Sequence, residues 1–328
     1  MAKPSGSSPA HPAKPLSEDD MIALWLAPLA GPAGLGLRDD AALITVPAGF
    51  QLVTTVDALV AGVHFFADDP PELIAQKALR VNLSDLAAKG AVPVGFLLSI
   101  ALPMDWTNDW LGRFAGGLAQ DAQEFATPLI GGDTSSTPGP LTIAITALGD
   151  APRFIARSGA ALGDDIYVSG PIGDAALGLK LRQDPARFEQ ISTQAREAIL
   201  ARYLLPHPRL DLREVLRGFA TAAMDISDGL IGDLAKLTQA SGVSAEVAIA
   251  DIPFSAAAKQ ALSLDPSLLE TVLTGGDDYE ILFTCGQGFT PPPGISRIGQ
   301  ITAGSGAPLF KDASGDACVF SSGSYRHF

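Results

Sequence analysis

Five aspartate-bearing turns, each abutting an apolar run, constrain this chain more than any other feature. They are Arg38-Asp39-Asp40-Ala41-Ala42, Asn82-Leu83-Ser84-Asp85, Gly131-Gly132-Asp133-Thr134, Asp225-Ile226-Ser227-Asp228-Gly229 and Gly275-Gly276-Asp277-Asp278. A carboxylate beside a hydrophobic strand sits at the rim of a core, where an isolated charge is costly. Taken singly, each aspartate is explained as a turn residue or a helix N-cap. Taken jointly, rims that meet in one cleft need a cation, and hard carboxylate oxygens favour Mg²⁺ over softer metals. The candidate metal set is Asp39-Asp40, Asp57, Asp85, Asp133, Asp225 and Asp228. Asp57 follows an apolar run, Asp133 follows two glycines after Leu129-Ile130, and Asp225 lies at the end of another run. Strand ends are where open sheets present ligand groups.

The balance of charge narrows the partners. The 328-residue chain carries 36 acidic and 22 basic residues, a formal net charge of −14. That excludes nonspecific binding to nucleic acid and docking on anionic lipid, but not an anionic substrate whose site is neutralised by metal. Hydrophobic content of 47% supplies ample core for two domains. The two cysteines, Cys285 and Cys318, lack zinc spacing and are too few for a disulfide scaffold. They read as reduced thiols of a cytoplasmic protein, with Cys285 buried at the end of Ile281-Leu282-Phe283-Thr284.

Residues 1–16 are rich in Pro, Ser, Ala and Gly and read as a disordered tail. Residues 21–30 are apolar but too few to span a bilayer, and Glu18, Asp19 and Asp20 stand where an export signal carries basic residues. With Ser17 as a cap, this segment is expected to form an amphipathic helix. Strands and helices then alternate. Strands are expected at 50–56, 94–102 and 141–148, and helices at 71–90 and 110–125. Lys77, Val81 and Asp85 recur every fourth residue, which puts Lys77 and Asp85 on one side of the first of those helices. A new segment opens near residue 150, with strands at 166–169, 221–226, 280–284 and 295–301 and helices at 174–182, 187–204 and 230–240. The fold class is therefore α/β followed by α+β: residues 17–150 form one domain and 151–328 the other.

Several motifs carry less. Gly31, Gly34 and Gly36 have the wrong order for a dinucleotide fingerprint and follow a helix instead of a strand. No lysine-bearing phosphate loop of the G-x-x-x-x-G-K-[ST] type occurs, so phosphates would be held chiefly through metal. Gly163-Asp164-Asp165 leads directly into a strand and reads as a hairpin turn outside the site. The Asp277-Asp278 turn differs, because Tyr279 and Glu280 follow it and suit substrate contact. His64, in Ala61-Gly62-Val63-His64-Phe65, fits either a satisfied core group or a pocket edge. Arg157 fits either a nucleotide phosphate partner or a strand cap.

From residue 37 to the end, the chain resembles the thiamine-monophosphate kinase family, part of the aminoimidazole-ribonucleotide-synthetase-like superfamily. The resemblance rests on Thr54-Thr55-Val56-Asp57, Leu59-Val60-Ala61-Gly62-Val63-His64-Phe65, Lys77-Ala78-Leu79 and Val81-Asn82-Leu83-Ser84-Asp85-Leu86-Ala87-Ala88. It continues through Gly131-Gly132-Asp133-Thr134, Asp225-Ile226-Ser227-Asp228-Gly229-Leu230, Gly275-Gly276-Asp277-Asp278-Tyr279-Glu280 and Tyr325-Arg326-His327-Phe328. Each motif alone is weak; their order and spacing together are specific.

The resemblance implies the two-domain fold of that superfamily and a homodimer joined through N-terminal domains. It implies ATP-dependent phosphorylation of thiamine monophosphate to thiamine diphosphate. Several Mg²⁺ ions would be held at Asp40, Thr55, Val56, Asp57, Asp85, Asp133, Asp225 and Asp228, with Asp57, Asp133 and Asp225 catalytic. ATP contacts would fall at Gly132, Asp133, Arg157 and Ser227, and substrate contacts at His64, Asp277 and Tyr325. Three positions depart from the family pattern: Arg38 replaces a glycine, Val56 a threonine and Asp277 a glutamate. Val56 would offer only a backbone oxygen, and Asp277 reaches one methylene less. The alternatives are a selenophosphate or aminoimidazole ribonucleotide synthetase, and a noncatalytic divalent-cation binder. No cysteine precedes Cys285, where a selenophosphate synthetase carries a reactive one.

Overall fold

The computed structural model describes residues 16–321, 323 and 324, so the expectations for residues 1–15 and for Tyr325 lie outside the described residues. Ser17 caps the first helix as expected, its Oγ accepting from the Asp20 amide at 3.2 Å. The helix itself does not run on. α1 (Glu18–Met21) gives way to a π turn at Ile22–Leu26 and a 3₁₀ turn at Ala27–Leu29. Pro28 and Pro32 cannot donate to a ladder and end the α-helical register.

Two sheets follow. The first has four strands: β1 (Gln51–Val60), β2 (Val92–Pro103), β3 (Leu129–Thr137) and β4 (Thr142–Ala151). Their spatial order is β1-β4-β2-β3, antiparallel except for the parallel β2–β3 pair. Helix α2 (Pro71–Ala88) joins β1 to β2, and α3 (Asn108–Glu124) makes the crossover that a parallel pair requires. Period-2 alternation turns Val53, Leu59, Ile143, Ile145, Leu98 and Ile100 toward these helices, where they pack with Leu79, Leu86, Phe114 and Leu118. Neither α2 nor α3 covers the opposite face, and there Leu52 and Val56 remain 47% and 60% exposed.

The second sheet has six strands: β5 (Asp165–Val168), β6 (Ala220–Asp225), β7 (Ser244–Ala248), β8 (Ile281–Cys285), β9 (Ser296–Thr302) and β10 (Leu309–Lys311). Its order is β10-β7-β9-β5-β8-β6. One face packs on α4 (Asp174–Gln183), α5 (Thr193–Leu204), α7 (Leu230–Ser241), α8 (Ala256–Leu264) and α9 (Leu268–Thr274). The expected helix over 187–204 is two pieces, because Ser192 starts α5 afresh by accepting from the Ala195 amide at 3.2 Å. The other face packs against α6 (Arg213–Phe219) and the C-terminal end of α2 through Tyr167, Phe283, Ala87 and Ala88.

Helix α2 is thus wedged between the sheets, with fifteen of its eighteen residues buried. It has no polar face to spare, and its buried polar groups all find partners. Arg80 donates to Asp121 of α3 at 2.7 and 2.8 Å and to the Pro206 carbonyl at 3.2 Å. Gln76 donates to the same carboxylate at 2.8 Å. Among the described residues no helix is long and apolar enough to cross a membrane.

Candidate active site

The cleft where both sheets meet α2 is lined by Asp57, His64, Lys77, Asp85, Asp225, Ser227, Asp228, Asp277 and Tyr279. They come from β1 and the turn after it, from α2, from the end of β6 and its following turn, and from the turn before β8. Asp57 lies inside β1, not after it, on the face turned to α2. Its amide donates to Asn82 Oδ1 at 3.0 Å, and Asn82 Nδ2 is held by the Ala78 carbonyl at 3.0 Å. Two residues earlier on the same face, Thr55 Oγ1 donates to Asp85 at 2.5 Å. Asn82 and Asp85 are one helical turn apart, so α2 grips β1 at two successive same-face positions.

Asp225 is the last residue of β6 and is buried. Behind it the chain turns sharply, and Asp233 of α7 accepts from the Ser227 and Asp228 amides at 3.0 and 2.9 Å. Lys236 donates to Asp233 at 2.8 Å and also pairs with Asp228. Neither Asp233 nor Lys236 was marked by sequence. The signal available was their i,i+3 spacing, directly after the Asp-Ile-Ser-Asp turn.

Carboxylates so close together oppose one another's ionisation. Burial, then Asp85 and Asp228, raise the Asp57 carboxyl to about 6. Burial and Asp85 push Asp225 well above the usual carboxylate range. Lys89, which donates to the Ala223 carbonyl at 2.8 Å, is lowered by burial while Asp225 and Asp85 pull it the other way. Arg157 is exposed in the connection between the sheets, within electrostatic range of Lys89.

The Asp277-Asp278 pair divides. Asp277 opens into the cleft, whereas Asp278 is buried and accepts from the Gly173 amide at 2.8 and 2.9 Å. Glu280 is also buried, paired with Arg202 and Arg209 at 2.8 Å each, so it is not the substrate-facing acid expected from sequence. Asp164 accepts from the Ala161 amide at 2.9 Å and Thr221 at 2.7 Å, so the motif is a turn outside the site, but not a hairpin, because β4 and β5 lie in different sheets. His64 Nδ1 accepts from the Val60 amide at 3.0 Å, so its Nε2 carries the proton.

Asp40, Gly132 and Asp133 are not in this cleft. They line a separate cavity of about 650 Å³ on the face of the first sheet turned away from α2 and α3, shared with Asp39, Ser99, Ala144 and Thr146 and with Glu18, Ile22 and Leu26 of the N-terminal helical turns. The Gly-Gly-Asp motif is not a turn but the body of β3. A Cβ on Gly132 would stand 1.9 Å from the Leu98 carbonyl oxygen, so only glycine permits that pairing. The registers Asp57↔Ile145, Ile145↔Leu98 and Leu98↔Gly132 form one line across the sheet. Three strand spacings separate its ends by roughly 14 Å. Asp133 is one residue further on, so it points to the opposite face. Within one chain, the expected aspartates therefore form two groups, not one.

The donor chemistry of both groups fits Mg²⁺. Among the described residues, no three His, Cys, Asp or Glu groups close around a single point.

The AIR synthase related protein family matches the chain twice, its N-terminal domain over residues 38–151 and its C-terminal domain over residues 162–293. A thiamine-monophosphate kinase from Caulobacter vibrioides is 43% identical over 289 residues, covering 86% of this chain and 80% of that protein. The solved structure of a thiamine-monophosphate kinase from Stenotrophomonas maltophilia K279a superposes with a TM-score of 0.78 at 38% identity, covering 92% and 96% of the two chains. A structure described as AaThiL complexed with AMPPCP and TMP gives the same score at 31% identity, covering 95% and 97%.

Proposed function

Because this chain belongs to the thiamine-monophosphate kinase family of AIR synthase related proteins, we propose that it transfers the γ-phosphoryl group of ATP to the phosphate of thiamine monophosphate, giving thiamine diphosphate. The observation that carries this reading is the gathering of Asp57, Asp85, Asp225 and Asp228 beside His64, Lys77 and Asp277 in one cleft. Its likeness to a structure described with AMPPCP and TMP supports the same pair of substrates.

The acceptor oxygen is already ionised at neutral pH, so no strong general base is required. It attacks the γ-phosphorus in line as the bond to the β–γ bridging oxygen breaks, and ADP leaves with that electron pair. The difficulty is bringing two polyanions together. Asp57, Asp85, Asp225, Asp228, Asp40 and Asp133, with the Thr55 hydroxyl and Val56 carbonyl, would hold the Mg²⁺ ions. When bound, these supply the charge neutralisation that the acids alone oppose. His64, through Nε2, and Asp277, both lining the cleft, contact the acceptor. Ser227, Gly132 and Arg157 serve ATP.

The working unit in this reading is a cytoplasmic homodimer. The exposed Leu52 and Val56 on the face of the first sheet turned away from α2, and the separation of Asp133 from Asp57, both support it. Two copies joined through that face would set the β3 edge of one beside the β1 cleft of the other.

The test is a substrate panel. Purified protein with ATP and Mg²⁺ should release ADP and form thiamine diphosphate from thiamine monophosphate, but not from thiamine or simple phosphate monoesters. Absence of thiamine diphosphate would overturn the assignment.

A further inference from the structure

The candidate cleft is a pool of carboxylates with one exception. Among its described lining residues, Lys77 is the only lysine or arginine. It stands on α2 two turns before Asp85 and is 3% exposed. Two groups hold its ammonium: Asp277 accepts from Nζ at 2.9 Å, and the Tyr203 ring centroid lies 4.1 Å away. Asp277 is braced in turn, its other oxygen accepting from Tyr279 Oη at 3.2 Å and its amide donating to the Ser227 carbonyl at 2.9 Å.

The backbone carries strain to achieve this. Asp277 and Tyr279 adopt φ of +63° and +51°, a region that non-glycine residues rarely occupy. Strain of this kind persists where it serves a site. A pair that only pinned α2 to the turn would be sealed on both sides. Here the Asp277 side chain is 29% exposed, so an incoming anion reaches the ion pair from the cleft.

We propose that Lys77 is a catalytic residue that binds the phosphate of the acceptor and so selects a phosphorylated acceptor over its dephosphorylated counterpart. This rests on the phosphoryl-transfer reading above. On binding, the ammonium exchanges the Asp277 carboxylate for an acceptor phosphate oxygen. A compact charge with three rotatable donors can follow that group as it closes on ATP. During transfer, a bond forms from the acceptor oxygen to the γ-phosphorus, and the bond to the bridging oxygen breaks toward ADP. Lys77 keeps all three protons throughout.

Titration calorimetry of thiamine monophosphate and of thiamine, with Mg²⁺ and without ATP, tests this in wild type, Lys77→Met and Lys77→Arg. Lys77→Met should weaken thiamine monophosphate about 10- to 100-fold and leave thiamine within about twofold, while Lys77→Arg keeps most of the affinity. In turnover, KM for the acceptor should rise with KM for ATP unchanged. Equal weakening of both ligands, or none of the monophosphate, would overturn the proposal; if Lys77→Met does not fold, Lys77→Gln gives the same ratio. A wild type that forms no thiamine diphosphate would refute the functional reading itself. An active wild type whose Lys77 variants bind normally would refute only the role of Lys77.

Discussion

Replacing Asp57 with asparagine removes a charge that the fold holds at a cost. The carboxyl is raised from 3.8 to about 6, first by burial and then by Asp85 and Asp228. Each unit of displacement is worth about 1.36 kcal/mol, so the ionised side chain opposes folding by about 3 kcal/mol at pH 8. The sign follows from proton binding. Between the two values the folded chain holds the proton more tightly than the unfolded chain, so stability falls as pH rises through that window. Below 3.8 the penalty is gone; at pH 5 it is about 1.5 kcal/mol. Asparagine is nearly isosteric and carries no charge. Urea unfolding in EDTA should therefore show Asp57→Asn more stable than wild type by up to about 3 kcal/mol at pH 8, narrowing to about half of that at pH 5. The same variant should lose phosphoryl transfer. A variant that is no more stable at pH 8, or that turns over near the wild-type rate, would refute the reasoning.

If one working site takes Asp57 from one copy and Asp133 from the other, Asp57→Asn and Asp133→Asn subunits are each inactive alone. Co-refolded in equal amounts they should recover about a quarter of wild-type activity, because half the dimers are mixed and each has one intact site. Asp121→Ala leaves the buried Arg80 guanidinium with only the Pro206 carbonyl and the partly exposed Glu124, and should cost about 3 kcal/mol in urea unfolding. Gly276→Ala meets both a φ of +73° and a Cβ 2.3 Å from the Ser227 carbonyl oxygen. It should lose about 1–3 kcal/mol and raise KM for the acceptor, because the Asp277 turn must shift.

Where pattern and packing agreed, the chain could be read directly. Apolar spacing placed α2 and put Lys77 and Asp85 on one side of it, and both line the cleft. The strand before Asp225 was legible for the same reason. Where a neighbouring strand overrode local preference, the reading failed. Residues 131–137 have the composition of a turn, yet they pair along β2 because Gly131 and Gly132 let the backbones approach. The turn-like composition of Gly-Gly-Asp hides the sheet face to which Asp133 points. Prolines, not hydrophobicity, decided residues 21–30. Asp233 shapes the Ser227-Asp228 turn from within a helix, and no single-residue signal distinguishes it from a solvated acid. The strands β7 and β10 and the helices α8 and α9 went unread because short, alanine-rich or mixed segments carry little periodicity.

Helix α2 has consequences for how such a chain can diverge. Its inner residues answer to two sheets at once, Lys77 and Asp85 also line the cleft, and Asn82 holds the Asp57 amide. A substitution there cannot be absorbed by adjusting one neighbour, because relief on one side is a clash on the other. Random mutagenesis selected for growth should leave this segment almost untouched while the loops around it drift. Lineages that acquire other phosphorylated acceptors should have altered the surrounding turns and kept the helix.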